Sequence, residues 1–238
     1  MQRVSSKISN SLYALRAFAC LIVIMAHMSF GDSFYLAETI RGSIVQIGVF
    51  VFFVLSGYFY SRSAGDSKKF WCKKAKSFIL PWFFFASIVY CLSALLFSKG
   101  GVSVLGWVKY VLGITSIYWY MLVLTVLMAL FKFFNKDIWL YIFMGISVIS
   151  IIASIILVPN HSSLVYNYLI YTNWAGVFAF GMLLRRKDLI EKLINPIYAV
   201  ISLIALTGLV IINIIGGKTL YHYVSETSLF VEFFGFIL

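Results

Sequence analysis

The sequence LYALRAFACLIVIMAHMSF, from Leu12 to Phe30, decides the fold, because it is apolar and long enough to cross a lipid bilayer as a helix. Two ionisable side chains, Arg16 and His27, interrupt it eleven residues apart. On an α-helix eleven residues make about three turns, so both side chains lie on one face, roughly 16 Å apart along the axis. Ionisable groups inside membrane-length segments are rare and tend to mark function. This pair is therefore the first candidate site.

The composition extends the membrane interpretation to the whole chain. Of its 238 residues, 62% are hydrophobic and only 11% are charged, which is more apolar than a soluble domain. The net charge of +11 could suggest a nucleic-acid partner, but the positive residues fall between apolar runs and do not form one block. We therefore predict no nucleic-acid binding. The predicted fold is all-α, a polytopic transmembrane helical bundle in a lipid bilayer, with residues 1–238 forming one integral-membrane domain.

Apolar runs of about 20 residues predict seven complete spans and part of an eighth. The seven are Leu12–Phe30, Ile44–Tyr60, Phe78–Phe97, Ile117–Phe134, Ile138–Val158, Val165–Leu184 and Pro196–Ile215. The eighth runs from Ser228 to Leu238 and is too short to span, so we expect the chain to be C-terminally incomplete. Between the third and fourth spans, Val102–Ile114 mixes aromatic, basic and apolar residues and is expected to form an amphipathic helix at the outer interface.

The basic residues predict the orientation of these spans. Of the 19 Lys and Arg residues, fourteen fall in segments on the side of the N-terminus and four on the other side, with Arg16 inside the first span. The four are Arg41, Lys99, Lys109 and Lys218. This bias predicts a multi-pass protein of the cell membrane with a cytoplasmic N-terminus. A signal peptide is the main alternative for residues 1–30, but Arg16 interrupts its hydrophobic core.

Each candidate residue has a simple structural explanation beside the functional one. Arg16, near the cytoplasmic end, could hold a phosphate or extend to the membrane surface. His27, near the outer end, could accept a proton from an alcohol or serve as a helix-end hydrogen bonder. Ser56 and Gly57 are small enough to permit close helix packing.

The basic loop before Pro81 includes Lys74 and Lys76, and it either sets topology or binds an anion such as the phosphates of coenzyme A. The chain has three cysteines, Cys20, Cys72 and Cys91, and they are scattered. Their spacing fits neither a disulfide framework nor a metal knuckle. No metal site is predicted.

Several motifs together resemble the membrane-bound acyltransferase family 3. The first is Leu15-Arg16, ten residues and His27, followed by Gly48 and the Phe-Phe-Val-Leu-Ser-Gly string of Phe52–Gly57. The others are Lys74-Ala75-Lys76 with Ile79-Leu80-Pro81, the aromatic run Tyr118–Leu122, and Phe178-Ala179-Phe180-Gly181. The family commonly has arginines where this chain has Lys74 and Lys76, and it usually has about ten spans. The resemblance covers most of the chain.

The resemblance implies an enzyme that moves an acyl group, most often acetyl, from cytoplasmic acyl-CoA to a hydroxyl of a cell-surface polysaccharide or other envelope glycan. Arg16, Lys74 and Lys76, with Ser56 and Gly57, would bind the donor. His27 would serve as general base or pass the acyl group on, with Arg16 as its catalytic partner. A transporter or flippase of a polysaccharide, or of its lipid-linked precursor, is the alternative function, because polar residues on one helix face also suit a translocation path.

Overall fold

The computed structural model describes residues 6–27, 46–63, 67–97, 102–157, 169–193, 196–205, 207–208 and 211. Within these ranges the regular secondary structure is helical, which confirms the all-α prediction there. The helices are α1 Ser6–Ala26, α2 Gln46–Ser63, α3 Ser67–Lys74, α4 Leu80–Phe97, α5 Val104–Val111, α6 Trp119–Phe133, α7 Asp137–Leu157, α8 Tyr171–Arg186 and α9 Ile190–Leu193. A further apolar helix covers Pro196–Ala205.

Helices occupy the positions of the first six predicted spans, with shifted ends. The first begins at Ser6, six residues before the predicted start, and α8 begins at Tyr171, six residues after it. Among the described residues one continuous helix, Lys69–Leu96, is long and apolar enough to cross a membrane, and the remaining apolar helices are shorter. Seven complete spans therefore remain a prediction. The expected eighth segment, from Ser228, lies outside the described residues.

The core is built by α8, which packs between α2 and α7, while α1 covers another side of α2. Gly57 of α2 faces the backbone of α8 so closely that a Cβ there would overlap the carbonyl of Phe178. Gly181 of α8 meets the carbonyl of Val54 in the same way. Small residues at a crossing let two backbones approach, which strengthens packing where lipid supplies no hydrophobic driving force. The pair explains the close crossing of α2 and α8.

The basic segment before Pro81 is helical, which corrects the expectation of a loop. α3 passes into α4 through a π-helical segment, Ala75–Ile79, where the N–H of Leu80 bonds the carbonyl of Ala75. Pro81 has no N–H to donate to the carbonyl of Ser77, and its ring would crowd that carbonyl in a regular α-helix. The wider i→i+5 turn accommodates the proline, so the helix continues where a boundary was expected.

The predicted amphipathic segment contains α5, which packs beside α4. The hydroxyl of Ser103 accepts a hydrogen bond from Gly106 N–H at 3.0 Å and caps the helix. The indole Nε1 of Trp107 donates to Ser87 Oγ of α4 at 3.0 Å. Helix formation in this segment is confirmed, whereas its location at the outer interface remains a prediction.

Candidate functional site

The candidate site takes one positive side chain from each of two helices. Lys74 is the last residue of α3, and Arg16 is exposed on α1. Burial, with the positive charges of Arg16 and Lys73, lowers the pKa of the Lys74 ammonium from its ordinary value. Two like charges within electrostatic reach repel each other, and an anion placed between them would relieve that repulsion. Arg16 and Lys74 therefore form a site suited to an anion.

The surroundings of Lys74 add to its electropositive character. Its ammonium lies 5.6 Å from the centroid of the Phe70 ring, which supports the cation through the ring's negative face. Lys73 and Lys76 are exposed close by in sequence, and the stretch 67–79 contains no Asp or Glu. The half-buried Lys74 thus stands at the border between a basic surface and the aromatic interior.

The first turn of α6 approaches the same face of α1. Tyr120 lies within electrostatic range of Arg16 and Cys20, which are one helical turn apart on α1. Its neighbour Trp119 lies in a buried aromatic layer, 5.4 Å from Trp174 between ring centroids, and Phe53 stacks on Trp174 at 4.8 Å. The layer fixes the start of α6 against α2 and α8. Sequence reasoning had placed Tyr120 in a motif but had not placed it beside Arg16.

His27 follows the last residue of α1 and is exposed. Its backbone N–H bonds the carbonyl of Ile24 at 3.1 Å, as in a closing helical turn. Because α1 is continuous from Arg16 to Ala26, His27 lies about 16 Å from Arg16 along the axis. Residues 28–45, which come next in the chain, lie outside the described ranges. The structure therefore places His27 at the far end of the helix that carries Arg16, and its catalytic role stays a prediction.

The other predicted donor-binding residues lie in different surroundings. Lys76 is exposed in the π-helical segment, and Ser56 is half-buried on α2. Gly57 is buried, and the space beside its Cα is filled by Phe178 and Met182 of α8. Helix packing accounts for Gly57, so the donor-binding role predicted for Ser56 and Gly57 has no further support from the contacts described.

A second charged cluster joins the start of α7 to the end of α8. Arg186 Nη1 donates to Asp137 Oδ1 at 2.7 Å and to the Asn135 carbonyl at 2.6 Å, and Lys187 Nζ is 3.2 Å from Asp137 Oδ2. Hydrogen bonds from Arg186 and Lys187 hold the pKa of Asp137 below its ordinary value. Sequence reasoning missed this cluster. Its signal was an isolated acidic residue at a helix start, where the helix dipole favours negative charge.

Metal-ligating side chains are not grouped in the described part of the chain. Within those residues, no set of three or more His, Cys, Asp or Glu side chains could hold a metal ion. Arg16, Lys74 and Tyr120 supply positive charge and a phenol, a set that suits an anionic group. The chemistry available here is therefore charge stabilisation and hydrogen bonding.

The described residues are helical, include one helix long and apolar enough to cross a membrane, and carry two cations within electrostatic range of each other. The profile of the acyltransferase 3 family, described as an acyltransferase domain, matches residues 9–238. The chain belongs to this family, whose members are membrane proteins, and the resemblance found in its motifs is confirmed. No curated protein and no solved structure gave a significant match. The family supports acyltransferase activity.

Proposed function

We propose that this protein transfers an acyl group, acetyl in the first instance, from cytoplasmic acyl-CoA to a hydroxyl of a cell-surface polysaccharide or other envelope glycan. The observation that carries the proposal is the half-buried Lys74 at the basic end of α3, which lies within electrostatic range of Arg16 on α1. Membership of an acyltransferase family supports the reaction class. The proposal includes a multi-pass location in the inner membrane of a bacterium. The distribution of basic residues supports a cytoplasmic N-terminus.

The donor is held through its phosphates. Arg16 offers a planar fork of N–H donors, and Lys74 offers a compact point charge. The lowered pKa of Lys74 reflects the cost of a cation that is half-buried beside another cation. A phosphate bound between the two removes that cost and stabilises the charged ammonium. Lys76, exposed two residues further along the chain, adds to the field that attracts the donor.

The acceptor hydroxyl reacts at the other end of α1. His27, as neutral imidazole, takes the proton of the hydroxyl while its oxygen attacks the thioester carbonyl. The carbon–sulfur bond breaks, coenzyme A leaves as a thiolate that gains a proton, and the acyl group becomes an ester of the glycan. An extended pantetheine arm spans a distance comparable to the roughly 16 Å between Arg16 and His27 on the helix. One helix thus links donor anchor and base.

Acyl transfer from labelled acetyl-CoA in inside-out membrane vesicles tests the proposal. We expect label to enter glycan with the wild-type protein, and we expect Lys74→Gln to reduce donor affinity by about tenfold because a charge-assisted contact is lost. Lys109→Gln, which removes the same charge from an exposed position on α5, is the matched control and should leave transfer unchanged. Glycan movement across the membrane without acyl transfer would instead establish the transporter or flippase.

A further inference from the structure

One buried polar atom stands out in the described part of the chain. The indole Nε1 of Trp82 is buried and has no hydrogen-bond partner among the described residues, and it is the single side-chain atom of that kind there. The side chain is 8% exposed and packs in a cluster with Ala86 and Val111. Buried indole N–H groups normally have a partner, and leaving one unpaired costs free energy, all the more so in a membrane interior.

The position of Trp82 relates this atom to the candidate site. Trp82 is the third residue of α4, directly after Pro81, and the π-helical segment Ala75–Ile79 separates it from Lys74. Eight residues of helix place Trp82 about 12 Å from Lys74 along the axis. In a regular α-helix the side chains of Lys74 and Trp82 would point roughly 80° apart around the axis. The wider π turn rotates the chain less per residue and so reduces this angle. The π segment therefore brings Trp82 towards the face of Lys74.

The residues that pack around Trp82 also relate it to the candidate site. Tyr118, Met121 and Leu122, from the start of α6, pack against its cluster. Tyr120, within that same turn, interacts electrostatically with Arg16. The start of α4, which carries the unpaired N–H, thus packs against the first turn of α6, and Arg16 of α1 lies within electrostatic range of that turn.

We propose that Trp82 Nε1 donates a hydrogen bond to an amide carbonyl of the pantetheine arm when acyl-CoA is bound. The proposal rests on the proposed function. The phosphates of the donor lie between Arg16 and Lys74, and the arm runs along α4, so that an amide carbonyl reaches the indole about 12 Å from Lys74. A buried N–H recognises such a carbonyl well, because a ligand lacking the carbonyl leaves the N–H unpaired. Trp82 is thus a binding residue for the arm, distinct from the cations that bind the phosphates.

Binding of coenzyme A and of adenosine 3′,5′-bisphosphate, which lacks the arm, separates the two roles. In the purified full chain we expect Trp82→Phe to weaken coenzyme A binding by about three- to tenfold and to leave bisphosphate binding unchanged. Trp107→Phe is the matched control, because its indole lies in the same cluster and already donates to Ser87. It should change neither affinity. Lys74→Gln should weaken both ligands alike.

The outcomes distinguish this inference from the proposed function. If coenzyme A binds and transfers its acyl group but Trp82→Phe leaves its affinity unchanged, or weakens both ligands equally, the role of Trp82 is overturned and the function stands. A wild-type protein that fails to bind coenzyme A overturns both.

The wild-type protein offers a second measurement that does not depend on how Trp82→Phe folds. In protein labelled with ¹⁵N at its six tryptophans, coenzyme A should shift one indole N–H resonance that the bisphosphate leaves in place. Absence of such a resonance contradicts the proposal.

Discussion

Gly57 of α2 and Gly181 of α8 each face the backbone of the other helix, Gly57 at the carbonyl of Phe178 and Gly181 at the carbonyl of Val54. The two contacts are reciprocal, and each occupies the space where any other residue has its Cβ. This crossing holds together the helices that carry Phe53 and Trp174, which in turn support the start of α6. The position of the first turn of α6, which carries Tyr120, therefore depends on two glycines that have no chemistry of their own.

Alanine at either glycine should loosen this crossing. The added methyl group meets a main-chain carbonyl that cannot rotate away, so Gly57→Ala or Gly181→Ala should cost about 1–3 kcal/mol or more. We expect a clear fall in Tm of the detergent-solubilised protein. Gly145→Ala on α7 is the control, because nothing lies within 4 Å of the added Cβ and alanine favours helix. A Gly181→Ala protein as stable as Gly145→Ala would contradict the close crossing.

Donor affinity should depend on pH through Lys74. Because the folded protein holds the pKa of this ammonium below its ordinary value, Lys74 loses its charge at a lower pH than a solvated lysine does. Affinity for coenzyme A is therefore full below that lowered pKa and falls as the pH rises through it. Bound phosphates raise the pKa of Lys74 again, so binding of coenzyme A at a pH near the lowered pKa should take up protons. Titration calorimetry in buffers of different ionisation enthalpy would measure this uptake.

Lys74→Arg separates this effect from general alkaline instability. Arginine keeps its charge, so the variant should retain donor affinity at alkaline pH, and its planar fork suits phosphate. In Lys109→Arg the affinity for the donor should fall with rising pH as it does in the wild type. An alkaline loss of affinity that persists in Lys74→Arg would exclude Lys74 as its source.

The charged cluster at the end of α8 should contribute to stability in a pH-dependent way. The pKa of Asp137 is lowered in the folded state, so its contribution is present above the unfolded value near 3.8 and is lost as the pH falls through the lowered folded value. Since the groups are partly exposed, Asp137→Asn should cost only about 1 kcal/mol, less at high salt. Chemical unfolding at neutral and acidic pH would measure this, with Glu191→Gln on the exposed surface of α9 as control.

Local sequence predicted the helices well, but it did not predict which helices pack against one another. The length of the apolar run and the lysine and arginine pattern identify α1 and the expected orientation, since both depend on nearby residues alone. Lys74 lies within electrostatic range of Arg16 because of the way the helices are arranged, and no local pattern encodes this. The basic segment was misjudged as a loop because its lysines lie outside the apolar run that begins at Phe78, whereas a π turn joins it to α4 as one helix. Gly57 carried a readable packing signal, and α8 proved to be its partner.

Substitutions of Arg16 and His27 on α1 should impair different steps, donor binding and acyl transfer. Arg16→Lys keeps the charge but loses the planar fork, so the apparent dissociation constant for acyl-CoA should rise by about three- to tenfold while the rate at saturating donor changes little. His27→Gln leaves the donor anchor intact, so donor binding should persist while transfer to glycan falls by about 10²-fold or more. Equilibrium binding of coenzyme A and single-turnover transfer, measured on the same membranes, would separate the two effects. Asn10→Ala, also exposed on α1, controls for general damage to the helix. Equal loss of donor binding in both variants would assign Arg16 and His27 a shared structural role, and unchanged transfer in His27→Gln would remove the proposed base.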